Sequence, residues 1–116
     1  AAGDRVLRTF ADRVRQSIRL SDLLIRRGGE EFVVVLPNMP LDGAKAAAER
    51  IRAHIENTRF VIGDDQSITQ TVSIGVAQWD GVELAAHLEE RADQAMYAAK
   101  TLGRNRVCLS TPPTNP

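Results

Sequence analysis

The stretch RRGGEEFVVVLP, residues 26–37, decides how this sequence is read. Two arginines precede a glycine pair, two glutamates follow, and an apolar run then ends at Pro37. With LLIR (23–26) before it, the stretch predicts a β-hairpin. LLIR and EFVVVL (31–36) are its strands, and Gly28-Gly29 is the two-residue turn, because both central positions of such a turn need positive φ. Glycines also let a ligand approach the backbone closely. Successive strand residues point to opposite faces, so Glu30 and Glu31 are expected to do different work. A carboxylate at a tight glycine-lined turn suits Mg²⁺, a hard cation that prefers oxygen and commonly bridges protein carboxylate to substrate phosphate. Taken alone, Gly-Gly-Glu-Glu reads first as a plain hairpin with solvated acids at its tip, and the rest of the chain must decide.

Before the hairpin, Val6, Phe10, Val14 and Ile18 recur every four residues with Leu7 beside them. This predicts a helix from Asp4 to about Arg19, apolar on one face and Arg-rich on the other, with Asp4 as its N-cap. After Pro37 and Pro40, the residues Ala44, Ala47, Ala48, Ile51 and Ile55 mark a second helix over about 42–57. RFVI (59–62) is a short strand followed by a turn at Gly63, Asp64 and Asp65. SITQTVSIGVAQW (67–79) reads as one long strand with Ile68, Val72, Ile74 and Val76 on one face. Leu84, Leu88, Ala92, Ala95, Met96 and Ala99 form the stripe of a third helix, capped at Gly103. RVCL (106–109) is a last strand, and STPPTNP (110–116) a loose tail. The order α β β α (β) β α β indicates an α/β or α+β sandwich of helices on a sheet. A strand before the first helix is missing from this order.

At 116 residues the chain is one domain or part of one. Its 15 basic and 15 acidic residues cancel, so net charge points neither to general nucleic-acid binding nor to a membrane surface. Arg5, Arg8, Arg13, Arg15, Arg19, Arg26 and Arg27 nevertheless crowd the first quarter. Such a patch fits phosphate-bearing ligands or simply the wet face of a helix. The lone Cys108 allows no internal disulfide and fits a reducing cytoplasm. There is no apolar run long enough to span a bilayer and no visible signal peptide. The chain begins without Met, in mid-pattern, and reads as a fragment of a longer protein. His54, His87 and Cys108 lack ligand-like spacing. Asp93 is expected in a structural hydrogen bond, Met96 and Tyr97 in the core, and Trp79 at a strand end.

RRGGEEF resembles the signature of diguanylate cyclase catalytic (GGDEF) domains, in GGEEF form. Three more stretches match in family-like order. AAGD (1–4) is similar to the end of the GHxxGD segment, TVSIGVA (71–77) to the central strand, and RADQAMYAAKTLGRNRV (91–107) to the ADxAxYxAKxxGRNxV block. The resemblance runs from the first residue to about Val107. It implies an α+β fold, a palm-like sheet related to the ferredoxin-like fold and packed with helices, with the first central strand missing here. Residues 1–109 would be the truncated domain and 110–116 its flexible tail.

The resemblance also implies an activity: two domains, each holding one GTP, meet face to face and condense the two GTP into cyclic di-GMP and pyrophosphate. Gly28 and Gly29 would let the turn approach the phosphates. Glu30 would bind Mg²⁺ (or Mn²⁺), and Glu31 would assist at the metal or the attacking hydroxyl. Asp4 would contact the guanine edge, whose N1–H and N2–H₂ are both donors. Lys100 and Arg104 would contact phosphates. Their spacing puts both on one face at the end of the third helix, where they otherwise read as charges complementing the helix dipole. RLSD (19–22), five residues before the glycine pair, fits the family's RxxD inhibitory motif. Arg19 and Asp22 would bind cyclic di-GMP, joined by Arg50 from a neighbouring domain, giving product feedback inhibition.

The family's opening DxDxFK-type strand, which carries the other metal ligand, and a following guanine-reading asparagine do not occur in these residues. Two-metal chemistry needs carboxylates converging from both strands. The fragment is therefore expected to be inactive where its parent is active. Strands EFVVVL and TVSIGVA are expected to be left with unpaired edges or to pair anew, favouring an edge-strand or swapped oligomer. The expected partners are GTP, cyclic di-GMP and a second copy, with no nucleic-acid polymer and no direct membrane contact. Localisation is expected to be cytoplasmic, with the parent free to be tethered through other domains. The alternative is a non-catalytic cyclic di-GMP receptor domain, although such receptors usually carry a degenerate motif. A different palm-like nucleotide cyclase or polymerase predicts neither RxxD at this offset nor an AKxxGRN block.

Overall fold

Val14, Ile51, Ile55 and Phe60 form the centre of the core, and Val6, Phe10, Ile18, Val34, Val72 and Ile74 pack around it. These residues come from both sides of the hairpin and from all the apolar stripes but the last. A computed structural model describes residues 2–28 and 31–110, leaving out the side chains of residues 2, 24–28, 31 and 32. Helix α1 spans Ala2–Gln16, strands β1 and β2 Leu23–Gly28 and Glu31–Val35, and helix α2 Leu41–Glu56. Strands β3 (Arg59–Gly63), β4 (Gln66–Thr69) and β5 (Ile74–Val76) follow, then α3 (Ala85–Thr101) and β6 (Val107–Leu109). The fold is α+β, as the element order indicates.

Helix α1 starts earlier than its capping pattern suggested, at Ala2. Asp4 is therefore inside the first turn, where a carboxylate complements the helix dipole, and is not the N-cap. The stripe on α2 is as expected, with Ala47, Ala48, Ile51 and Ile55 all buried.

Strands β1 and β2 pair antiparallel with Leu23 opposite Val35 and Gly28 opposite Glu31, the register shifting between Arg26 and Gly28. Gly28 is thus the last paired residue of β1 and not half of a two-residue Gly-Gly turn. Strands β3 and β4 repeat this plan, with Phe60 opposite Ile68, Gly63 opposite Gln66 and a shift between Val61 and Gly63. Their turn uses Asp65 at φ 59°, a left-handed conformation that Asp tolerates better than most residues.

The stretch expected as one long strand over 67–79 is two strands with different partners. β4 pairs with β3, whereas β5 pairs in parallel with β6, Ile74 opposite Val107 and Val76 opposite Leu109. The alternation of apolar residues continues across the break because Val72 and Ile74 still meet the one core, so period alone cannot separate one strand from two. Gly75 explains where β5 lies. A Cβ there would fall 2.1 Å from the Ala92 carbonyl oxygen and 2.2 Å from the Met96 nitrogen. Helix α3 therefore rests directly on the β5 backbone.

Among the described residues, the strands form three two-stranded sheets, and β2 and β5 are not paired with each other. Each has a strand partner on one side only among the described residues, while packing a residue, Val34 or Ile74, against the same core. On α3, Ala95 and Ala99 are buried, but Tyr97 is 71% exposed, contrary to its expected place in the core. Tyr97 lies two residues from both Ala95 and Ala99, about 200° round a helix from each, and so on the opposite face. Among the described residues no helix is long and apolar enough to cross a membrane.

Candidate phosphate and nucleotide sites

Two clusters contain most of the candidate residues that can be described. The first lies in the turn between α1 and β1. Its Arg19 backbone N–H donates to Asp22 Oδ2 at 2.7 Å, and the Arg19 guanidinium donates to the same carboxylate, with Nη2 3.2 Å from Oδ1. Arg19 Nη2 also donates to the Pro37 carbonyl at 3.1 Å, tying the turn to the exit of β2. The Asp22 side chain is 1% exposed and that of Arg19 50%. The carboxylate is thus buried against its own arginine, whose side chain stays half exposed. Burial works to raise the Asp22 pKa. It is outweighed by the Arg19 amide and side-chain hydrogen bonds and by the charges of Arg19 and Arg50, which together hold the carboxyl below its ordinary value. Arg50, on α2, reaches the Ser17 carbonyl at 3.5 Å. Arg19, Asp22 and Arg50 therefore converge within one chain.

The second cluster is the end of α3. Lys100 is exposed in its last turn. Helix α3 stops at Thr101, and Gly103, Arg104 and Asn105 all have positive φ, at 129°, 63° and 47°. Arg104 is therefore beyond the helix, and the expected placement of Lys100 and Arg104 on one helical face does not hold. The reason is the glycine. Gly103 lets the chain reverse, and the Arg104 N–H turns back to the Ala99 carbonyl at 2.9 Å, closing the helix end. Arg104 is exposed.

The remaining candidates are spread out. Asp4 is exposed on the first turn of α1. Gly28 ends β1, and Glu31 begins β2 with its side chain outside the described part. Gly29 and Glu30 lie outside the described residues, and with them the expected opposite facing of Glu30 and Glu31. Among the described residues no group of three or more His, Cys, Asp or Glu side chains could hold a metal ion. The metal implied by the resemblance would depend on Glu30, which lies outside the described residues.

Two networks were not foreseen. Arg91 donates Nε to Glu83 Oε2 at 3.0 Å and Nη2 to Glu83 Oε1, and it also reaches the Gln78 carbonyl at 2.6 Å and Ser110 Oγ at 3.1 Å. The Arg91 hydrogen bond and charge lower the Glu83 pKa against the effect of burial, and the Glu83 hydrogen bond and charge raise that of Arg91. Asp80 Oδ1 accepts from the Val82 and Glu83 amides at 2.8 and 2.7 Å, and those bonds lower its pKa. The signal was present in WDG (79–81), since Asp-Gly marks a turn closed by the Asp side chain. In the other network, Arg52 and Glu56 of α2 hold Asn105, and no sequence pattern of local range predicts that pairing.

The family model described as "Diguanylate cyclase, GGDEF domain" matches residues 1–106. Diguanylate cyclase A of Treponema denticola is 44% identical over 111 residues, which are 95% of this chain and 30% of that protein. The chain thus spans less than a third of that relative's length. The solved GGDEF domain of PA1120 (TpbB or YfiN) from Pseudomonas aeruginosa superposes with a TM-score of 0.88 at 35% identity, covering 96% of this chain and 65% of that one. The GGDEF domain of DgcB from Caulobacter crescentus, solved in complex with c-di-GMP, superposes at 0.84 with 31% identity, covering 92% and 64%.

Proposed function

The chain belongs to the diguanylate cyclase GGDEF domain family, and on that premise we propose that the protein containing it joins two GTP molecules into cyclic di-GMP. The 3′-oxygen of each GTP bonds to the α-phosphorus of the other. Each bond to pyrophosphate breaks, two pyrophosphates leave, and the two hydroxyl protons are released. The observation that carries this reading is the match across residues 1–106 together with an intact Gly28-Gly29-Glu30-Glu31 signature.

In this reading residues 1–109 are the domain unit, each copy holds one GTP, and a homodimer brings the two reacting centres together in the cytoplasm. Gly28 and Gly29 leave room for the phosphates. Lys100 and Arg104 neutralise them, which favours the developing charge on the leaving pyrophosphate. Asp4 accepts from the guanine edge. Glu30 binds Mg²⁺ or Mn²⁺, which when bound polarises the phosphate oxygens, and Glu31 assists beside it. Arg19, Asp22 and Arg50 bind the product and limit its synthesis. Residues 1–116 alone do not turn over, because the facing acidic strand is absent from them, and the free edges of β2 and β5 favour association of such chains. A second reading, a receptor that binds cyclic di-GMP without making it, would use the same Arg19, Asp22 and Arg50. The test is chromatographic detection of cyclic di-GMP from GTP and Mg²⁺. The whole natural protein is expected to make it and residues 1–116 alone are not. Product from the short chain refutes its inactivity, and no product from the whole protein favours the receptor.

A further inference from the structure

Arg104 holds a backbone conformation that an arginine seldom adopts, at φ 63°. Non-glycine residues with positive φ are a few per cent of the total, and they persist where the surroundings over-determine them, most often at functional sites. Here the surroundings are unusually specific. On one side, Arg106 Nε donates to the Arg104 carbonyl at 3.1 Å, and its guanidinium lies so close over Gly103 that a Cβ there would be 2.7 Å from it. Arg106 is itself tied to the sheet, its carbonyl accepting from the Ile74 amide at 3.0 Å. On the other side, the Asn105 carboxamide is held by α2. Arg52 Nη1 donates to Asn105 Oδ1 at 2.9 Å, and Asn105 Nδ2 donates to Glu56 Oε2. Arg52 closes the triangle by donating to Glu56 Oε1 at 3.5 Å, and its side chain is only 19% exposed.

The helix end does not require this triangle, since the Arg104 amide already closes α3 on the Ala99 carbonyl. What the triangle fixes is the next residue, and with it the direction in which Arg104 leaves the loop. Two charged side chains of α2, 53 and 49 residues away in sequence, converge on the carboxamide next to one exposed arginine. Arg104 itself has no ion pair with another described residue.

We propose that Asn105 is a positioning residue for phosphate binding. By joining the loop after α3 to Arg52 and Glu56, it holds Arg104 in the left-handed conformation that presents its guanidinium, beside Lys100, to the triphosphate of GTP. This rests on the reading of Arg104 as a phosphate contact. Fixing the guanidinium before the ligand arrives removes the ordering cost that a free long side chain would bring to binding. Arg50 and Arg52 also lie two residues apart on α2, so one helix touches both candidate ligand sites.

The test is calorimetric titration of inorganic tripolyphosphate into the whole chain and its variants, with melting temperature measured alongside. Asn105→Gly keeps the positive φ accessible and removes the carboxamide without changing charge. It is expected to lose about tenfold in affinity, the worth of misplacing one charged hydrogen bond, as is Arg104→Ala. The double variant Asn105→Asp/Glu56→Gln keeps the net charge and reverses the bond, the new glutamine donating to the new aspartate, and is expected to return to within about twofold of the unsubstituted chain. Equal affinity in the unsubstituted chain and Asn105→Gly overturns the positioning role, even if the melting temperature falls. So does a folded double variant that binds as weakly as Arg104→Ala. If the unsubstituted chain does not bind tripolyphosphate, or if Arg104→Ala binds as well, the phosphate reading fails and the inference fails with it.

Discussion

Substituting Gly75 by alanine tests the packing that brings α3, and the cations at its end, to the sheet. The new Cβ would meet backbone and not a side chain, at 2.1 Å from the Ala92 oxygen, 2.2 Å from the Met96 nitrogen and 2.9 Å from the Ala95 carbon. To restore an ordinary contact of 3.4 Å the helix must recede from β5 by more than an ångström. Nothing flexible is there to yield. Overpacking of cores costs about 1–3 kcal/mol, and this site belongs at the top of that range. Receding also uncovers Ala95 and Ala99, now 6% and 0% exposed. For a domain of this size about 3 kcal/mol lowers the melting temperature by roughly 10–20 °C. Gly63→Ala is the control, because its Cβ would meet only Gln66 Oε1, at 3.7 Å. Urea and thermal unfolding of both variants measure the effect. A Gly75→Ala chain within about 0.5 kcal/mol of the unsubstituted one, as expected of a surface change, would show that α3 is not seated on β5 as described.

Phe60→Ala removes a side chain with no exposure from the centre of the core and is expected to cost about 3–5 kcal/mol in urea unfolding; a cost below 1 kcal/mol would contradict that core. Glu83 and Asp80 hold their protons less tightly folded than unfolded, so their stabilisation is complete above the ordinary values of 4.5 and 3.8 and is lost as pH falls through the lower folded values. Glu83→Gln is expected to flatten the fall in stability below pH 4.5, and an unchanged slope in urea midpoints against pH would contradict the Arg91 pairing. Arg19→Ala is expected to weaken cyclic di-GMP binding to the chain by about tenfold or more, the scale of a lost charged hydrogen bond. Calorimetry showing the same affinity in both chains would remove Arg19 from the inhibitory site.

Helix positions were legible because each apolar stripe has the helical period and a single face to bury, as with Ala47, Ala48, Ile51 and Ile55 on α2. Hairpin β1–β2 was legible from its glycines and apolar runs, but not its register, since a one-residue shift between Arg26 and Gly28 leaves no trace in composition. The break between β4 and β5 was hidden because Val72, between the two strands, carries the apolar alternation on to Ile74 and meets the same core, although β4 itself is exposed. At the sites, Arg19 and Asp22 are three residues apart and their pairing is local. By contrast, the hold of Arg52 and Glu56 on Asn105 joins segments that only the tertiary fold brings together. The left-handed turn at Arg104 was missed for a related reason: helical spacing was extended past Gly103, where the helix had already ended.

Cyclic di-GMP synthesis is proposed to run through the Gly28-Gly29-Glu30-Glu31 turn. The most direct measurement compares the natural protein with its Glu30→Ala variant, each supplied with GTP and Mg²⁺ and assayed for cyclic di-GMP by chromatography. Product is expected from the first and a loss of at least about a hundredfold in the second, the scale set by removing one stabilising group from a transition state. Equal product from both would contradict it.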